Sequence, residues 1–152
     1  MLENVIIKHL GKKEDSRGWL AEIFRIDEIS KLIIPEMGYL SITLPGISRG
    51  PHEHLEQTDY FCFPGISKFK ISLWDNNVKS KTYGQNYIFE TIERTPSIVV
   101  IPPKVVHAYK NIGPVEGIVI NLPNKLYAGK NKKQQVDEVR YENLNNSKFK
   151  LE

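Results

Sequence analysis

Apolar and polar positions alternate along this chain in short runs that turn residues interrupt. The apolar-rich runs are NVIIKHL, WLAEIFRI, YLSITL, TDYFCF, KFKISLW, NYIFET, SIVVI, VVHAYK and EGIVINL, separated by GKKEDSRG, PGISRGP, PGIS, DNN, ERTP, PPK and GPV. Gly, Pro, Asn and Asp concentrate in the separators, where their backbone preferences and local hydrogen bonds favour turns. In KFKISLW, Phe69, Ile71 and Leu73 alternate with Lys68, Lys70 and Ser72, a period of two that predicts one buried and one wet face. Strands of that kind pair in antiparallel sheets. Only IDEISKLIIPE, residues 26 to 36, predicts a short helix, and Pro35 limits it. Roughly nine to eleven short strands predict an all-β domain, a double-sheet jelly roll.

Composition narrows this picture. A chain of 152 residues has the length of one domain, taken here as 1–152, and 40% apolar with 10% aromatic residues is enough for a core. The net charge of +3 comes from 21 basic and 18 acidic residues spread through the chain. A nucleic-acid footprint needs basic residues clustered on one face, so no nucleic-acid partner is expected. A modest positive surplus does suit a small phosphate-bearing substrate. The single cysteine, Cys62, sits inside an apolar run and reads as a buried small hydrophobe. No run approaches the ~18 apolar residues of a membrane span, and residues 1 to 16 lack a signal-peptide core. A soluble, cytoplasmic protein with no membrane partner is the expectation.

Chemistry concentrates between Ser48 and Gly65, SRGPHEHLEQTDYFCFPG. His52 and His54 are two apart, so on a strand both project to one face. A second stretch, IPPKVVHAYKN from Ile101 to Asn111, adds His107 in a strand context. A proton next to a ketone is weakly acidic, so removing it takes a base with a pKa near working pH and a group that stabilises the enolate. Histidine is such a base, and a neighbouring carboxylate would orient it. After Tyr127 the chain turns polar, and Lys130, Lys132 and Lys133 read as a solvated loop. Within VDEVRYE, Asp137, Glu138 and Glu142 are candidates for the carboxylate if this segment crosses a barrel mouth, and local ion pairs with Arg140 are the alternative. Arg49, beside Gly50 and Pro51, is placed to grip a diphosphate with its planar fork.

The spacing of Pro102, His107 and Asn111, with H-x-H at His52 and His54, resembles the two cupin motifs, whose fold is a double-stranded β-helix. Lys104 stands where the second motif has glycine, and Thr58, flanked by Glu56 and Asp59, stands where the first has its acid. Within the cupins, three stretches over about residues 14 to 127 resemble the dTDP-4-dehydrorhamnose 3,5-epimerase family, metal-independent enzymes of nucleotide-linked 4-keto sugars. DSRGWLAE resembles its D-x-R-G-x-F-x-E, SRGPHEH its R-G-L-H, and IPPKVVHAY its I-P-x-G-x-A-H-G-F. The resemblance implies a nucleotide-sugar substrate, a homodimer and no cofactor or metal. It implies His52 as base and Arg49 on the diphosphate. Arg17, Glu22 and Trp19, the last in place of an aromatic at Leu20, would meet the nucleotide, partly from the neighbouring subunit. His52, His54, Tyr127 and Asp137 are the residues expected in catalysis, with Gln57, Asp59, His107 and Tyr109 added to the substrate contacts.

Two departures stand out. The position of the family's enolate-steadying lysine falls near Asp59, and that of its proton-returning tyrosine falls near Val119, so Tyr127, Tyr60 or Tyr109 would have to take over. The first motif is also similar to nucleotide-sugar 3,4-ketoisomerases, which carry R-G-x-H-x-H followed by L-E-Q, here Arg49 to Gln57. In that reading the two histidines relay a proton on one sugar face. A metal cupin holding His52, His54, His107 and Glu56 or Asp59, and a non-catalytic sugar-nucleotide binder, are the readings from other classes. The 3,5-epimerase-like isomerase, in deoxysugar and polysaccharide biosynthesis, leads on coverage.

Overall fold

The computed structural model describes residues 1–151, and the alternating runs become strands of two facing antiparallel sheets. The first sheet has the order β1 (Ile6–His9), β9 (Ser97–Ile101), β6 (Asp59–Phe63), β11 (Gly117–Asn121) and β4 (Tyr39–Thr43). The second has the order β12 (Val139–Arg140), β5 (Ser48–Glu53), β10 (Val105–Asn111), β7 (Phe69–Asp75) and β8 (Asn86–Glu90). A hairpin of β2 (Lys13–Asp15) and β3 (Gly18–Leu20) forms a separate two-stranded sheet. The chain passes repeatedly from one sheet to the other, as in the expected jelly roll.

Period two decides what lies between the sheets. Phe61 and Phe63 of β6, Val99 and Ile101 of β9 and Val119 of β11 face Phe69, Ile71 and Leu73 of β7 and Val105 and Tyr109 of β10. Burying each of the larger of these side chains contributes about 1.5–3 kcal/mol. β6 and β9 are buried on both faces. Their outward residues Tyr60, Cys62, Ile98 and Val100 are covered by Leu10, Ile23, Ile29 and Ile33.

That cover corrects two expectations. WLAEIFRI forms a strand only as far as Leu20, because the segment carrying Ile23 lies over the outer face of the first sheet, where no strand runs beside it to pair. Residues 26 to 36 make one 3-10 turn, Lys31–Ile33, started by Ser30 Oγ accepting from the Leu32 amide. It stops at Ile34, whose ψ of 123° is the extended geometry that a following proline imposes. Ser72, expected on a wet face, is 1% exposed between Ala108 and Ile88 of the adjoining strands. β2 and β12 fall in stretches read as connections or polar tail. No helix among the described residues is long and apolar enough to cross a membrane.

Candidate active site

The site is built where β5 meets β10. His107 pairs with His52 across the two strands, and the register then slips before Tyr109 meets Arg49. Such a bulge re-aims side chains. Gly50 makes it possible: its φ is +80°, and a β-carbon there would meet the His107 carbonyl oxygen at 2.5 Å. Lys104, where the resembled motif has glycine, has φ of 64°, which explains why glycine suits that place. Its amide donates to the His54 carbonyl at 2.8 Å and fixes the end of β5.

His52 and His54 open on a cavity of about 1030 Å³ between the sheets, whose walls also include Tyr39, Arg49, Gln57 and Glu138. The C-terminal segment closes one side. β12 pairs with β5, setting Arg140 opposite His52, and this brings Glu138 Oε1 within 3.9 Å of His52 Nε2. Arg140 Nε donates to Glu138 Oε2 at 2.7 Å.

Behind the histidines lies Asp59, 1% exposed. Its Oδ1 accepts from Gln57 Nε2 and Asn121 Nδ2, both at 2.8 Å. Its Oδ2 lies 3.1 Å from both His54 Nε2 and His107 Nε2. Both rings present their other nitrogen to a carbonyl: His107 Nδ1 donates to Val105 O at 3.0 Å, and His54 Nδ1 to Asp137 O. With a hydrogen on each Nδ1, a neutral ring turns its Nε2 lone pair toward the carboxylate. Acceptors this close need positive charge among them, as protons or as a metal ion.

Burial, and then the neighbouring His107 and His54, push His52 down to about 2, so it is a neutral imidazole. Burial works against charge on His54 as well, but Asp59 and the Asp137 carbonyl outweigh it and push His54 up to about 9. Asp59 is pulled the opposite way by burial and by its two histidines, and the histidines hold it well below the carboxylate range.

A metal fits the same residues. One ligand atom from each of His52, His54, Asp59 and His107 lies within 4.8 Å of the others. Asp59 Oδ2 and His107 Nε2 are buried without an aligned hydrogen bond, so the 3.1 Å approaches are ion contacts with poor N–H direction. That spacing is about the cis-ligand separation expected for bonds of ~2.0–2.2 Å. Carbonyls on the outer nitrogens and amides on the far carboxylate oxygen are the supports that metal ligands need.

The other expected residues divide clearly. Gln57, Arg49, Tyr109 and Tyr127 line the cavity with His52 and His54. Arg49 is held against β4 by Nε to Thr43 Oγ1 at 3.2 Å and Nη2 to Ile42 O at 2.8 Å. Tyr127 stands at the mouth, 54% exposed. His107 and Asp59, expected to touch substrate, are instead buried behind the cavity wall, because Phe61 and His52 pack over the His107 ring. Asp137, expected to pair with a catalytic histidine, spends its carboxylate on the amides of Leu55, Glu56 and Gln57 at 2.8–2.9 Å. It anchors the loop after β5, and Glu138 is the carboxylate facing His52. Arg17, Trp19 and Glu22 lie outside this cavity: Arg17 pairs with Asp15 at 2.6 Å on the exposed hairpin, and Glu22 pairs with Arg25 at 3.4 Å.

Tyr39 and Asn121, outside both histidine motifs, also belong to the site. The signal was present in YLSIT, where Tyr39, Ser41 and Thr43 alternate with Leu40 and Ile42, and in the asparagine ending GIVIN.

Residues 13–135 match the family model described as the polysaccharide biosynthesis C-terminal domain. The chain is 35% identical over 127 residues to the probable low-salt glycan biosynthesis epimerase Agl13 of Haloferax volcanii, spanning 83% of this chain and 81% of that protein. It is 30% identical over 129 residues to the spore coat polysaccharide biosynthesis protein SpsL of Bacillus subtilis, spanning 84% and 83%. Among solved structures, the dTDP sugar isomerase of Desulfovibrio desulfuricans G20 matches with a TM-score of 0.78 at 21% identity, over 91% of this chain and 84% of that one. That likeness is one of fold. The family match across most of the chain and the two relatives of similar length agree, and the chain belongs to the polysaccharide biosynthesis C-terminal domain family.

Proposed function

We propose that this chain is a sugar-nucleotide epimerase that removes and returns a proton beside the 4-keto group of a nucleotide-linked 6-deoxy sugar. The observation that carries it is His52, a neutral imidazole opening on the cavity with Glu138 beside it. The neutral ring has its lone pair free for the proton; burial and the neighbouring histidines make it a weak base on its own, and Glu138, beside its Nε2, offsets this by stabilising the imidazolium that forms. Of the adjoining cluster, His54 lines the cavity, and its charge, held by Asp59 behind it, is available to stabilise a developing enolate. Epimerase chemistry is also the reaction named for the Agl13 relative. The decisive experiment is proton NMR of dTDP-4-keto-6-deoxyglucose in deuterated water with the enzyme. Loss of the signal beside the ketone together with an epimerised product supports the reading; a 3-keto product would make it a ketoisomerase, and a stable signal would overturn it.

A second reading is favoured by the unaligned Asp59 Oδ2 and His107 Nε2. There His54, Asp59 and His107, with His52 as fourth ligand, hold a divalent transition metal, which would supply a Lewis acid for the keto oxygen. Glu138 is then the nearest base. Metal analysis of the purified protein decides: about one equivalent per chain, lost from Asp59→Asn, assigns the cluster to metal binding. Full exchange activity in metal-free protein assigns the charge to protons.

The exposed hairpin with Arg17 and Trp19 supports the homodimer implied by the resemblance, since these residues stand outside their own chain's cavity. A dimer is expected in sedimentation equilibrium, and Trp19→Asp is expected to shift it toward monomer. Monomeric wild type at micromolar concentration would remove this part of the proposal.

A further inference from the structure

Epimerisation needs a second proton carrier on the sugar face opposite the base, and the place where the resembled family has its tyrosine is Val119, 1% exposed in the core. Resting on the epimerase reading, we propose that Tyr39 is the catalytic group that returns this proton. Tyr39 belongs to β4 of the first sheet and His52 to β5 of the second, and both line the cavity, so they approach its contents from opposite walls. On β4, Tyr39 shares its inward face with Ser41 and Thr43, while Leu40 and Ile42 turn outward.

The hydrogen bonding of Tyr39 leaves its proton in the right place. Across the strand pair, Asn121 Nδ2 donates to the Tyr39 hydroxyl oxygen at 2.9 Å. Asn121 is fixed in that role: it is fully buried, its Oδ1 accepts from the Tyr60 amide at 3.1 Å, and Nδ2 also donates to Asp59 Oδ1 at 2.8 Å. An oxygen that accepts from Asn121 keeps its own O–H for a group in the cavity. The residue is 47% exposed, but desolvation within the cavity, and then the charge of Asp59, push the phenol up to about 12, which keeps it protonated until it reacts.

The other tyrosines are placed for other work. The Tyr60 hydroxyl donates to Ile23 O at 2.9 Å, on the outer side of the sheet. The Tyr109 hydroxyl lies against Ser41 Oγ at 3.4 Å in a side chain almost fully buried, and Tyr127 belongs to the segment after β11 and not to the sheet that faces β5.

The steps balance. His52 takes the proton from the carbon beside the ketone, leaving an enolate and an imidazolium. Tyr39 gives its proton to the opposite face of that carbon, re-forming the ketone with inverted configuration. The phenolate, held by Asn121 Nδ2–H, is reprotonated from solvent, and the imidazolium loses its proton to solvent. Tyr39→Phe keeps the ring and removes the donor.

In deuterated water, Tyr39→Phe is expected to go on washing deuterium into the substrate at within about tenfold of the wild-type rate, since His52 can still take and return a proton on its own face. Formation of the epimer is expected to fall at least tenfold further, and Tyr39→His, which keeps a donor, to recover part of it. Inversion that stays in step with wash-in in Tyr39→Phe, whether both persist or both fall, would overturn the assignment. So would a 3-keto product, which needs only one face. If the wild type washes in no deuterium, the epimerase reading fails and takes this assignment with it, whereas wash-in with unchanged inversion defeats Tyr39 alone.

Discussion

Replacing His52 with alanine is expected to slow deuterium wash-in beside the ketone by roughly 10²–10⁴-fold, the range that a positioned general base contributes. The size follows from how the ring is held. His52 stands on β5 opposite His107, backed by its ring at a centroid distance of 4.3 Å, and its side chain is 15% exposed, all that a small substrate needs. Burial, and then the neighbouring His107 and His54, keep the free ring unprotonated, and Glu138 beside its Nε2 stabilises the imidazolium once the proton is taken. Alanine leaves a gap at the cavity wall and no group to accept the proton. Circular dichroism of the variant should match wild type, because the two-sheet core lies beyond this position. Wild-type wash-in by His52→Ala would sink the assignment of the base. Glu138→Gln should slow the reaction less, since a carboxylate 3.9 Å away stabilises the imidazolium without taking the proton itself. If Glu138→Gln proves the more damaging change, the base is Glu138 and the metal reading gains.

The largest loss of stability is expected from Asp59→Ala. Four partners converge on this carboxylate: Gln57 and Asn121 on one oxygen, His54 and His107 on the other. Removing it strands buried donors and positive charge together, a class of change that costs about 3–5 kcal/mol. At about 2–4 °C per kcal/mol for a domain of this size, the melting temperature should fall by roughly 6–20 °C. Asp59→Asn should cost much less. It keeps an oxygen for Gln57 and Asn121, and its amide hydrogens can point at the His54 and His107 Nε2 lone pairs once those rings are neutral. Urea unfolding of both variants measures this, and a midpoint of Asp59→Ala equal to that of wild type would show that the cluster contributes nothing to folding.

Much of this was legible in order along the chain. Alternation in KFKISLW gave a strand with Phe69, Ile71 and Leu73 inward, because a side-chain period of two is a property of the strand itself and needs no partner to set it. The pairing of His52 and His54 on one face follows from the same rule, and Cys62 is buried as its apolar run implied. PGISRGP reads as a turn, but β5 runs through it from Ser48, because Gly50 lets the strand bulge against β10 and stay paired. Segments whose structure depends on a distant surface were misread. WLAEIFRI has strand composition, yet Ile23 and Phe24 pack over the outer face of the first sheet, and local propensity carries no information about that sheet.

Residue order and spacing alone were enough for the all-β jelly roll, the strand-borne histidines and the polar C-terminal segment as a source of a carboxylate. The choice among Asp137, Glu138 and Glu142 belonged to the tertiary structure. They are neighbours in sequence, but β12 pairing with β5 points Glu138 at His52 while Asp137 turns back to three amides of the following loop. The same holds for Asp59 and Tyr39. A carboxylate where a lysine was expected reads as a loss until it is seen beneath two imidazoles brought from β5 and β10, and a tyrosine in a strand gains its role only when another sheet sets His52 opposite. Functions of this kind depend on distances between residues far apart in sequence, and only the folded arrangement of the two sheets fixes those distances.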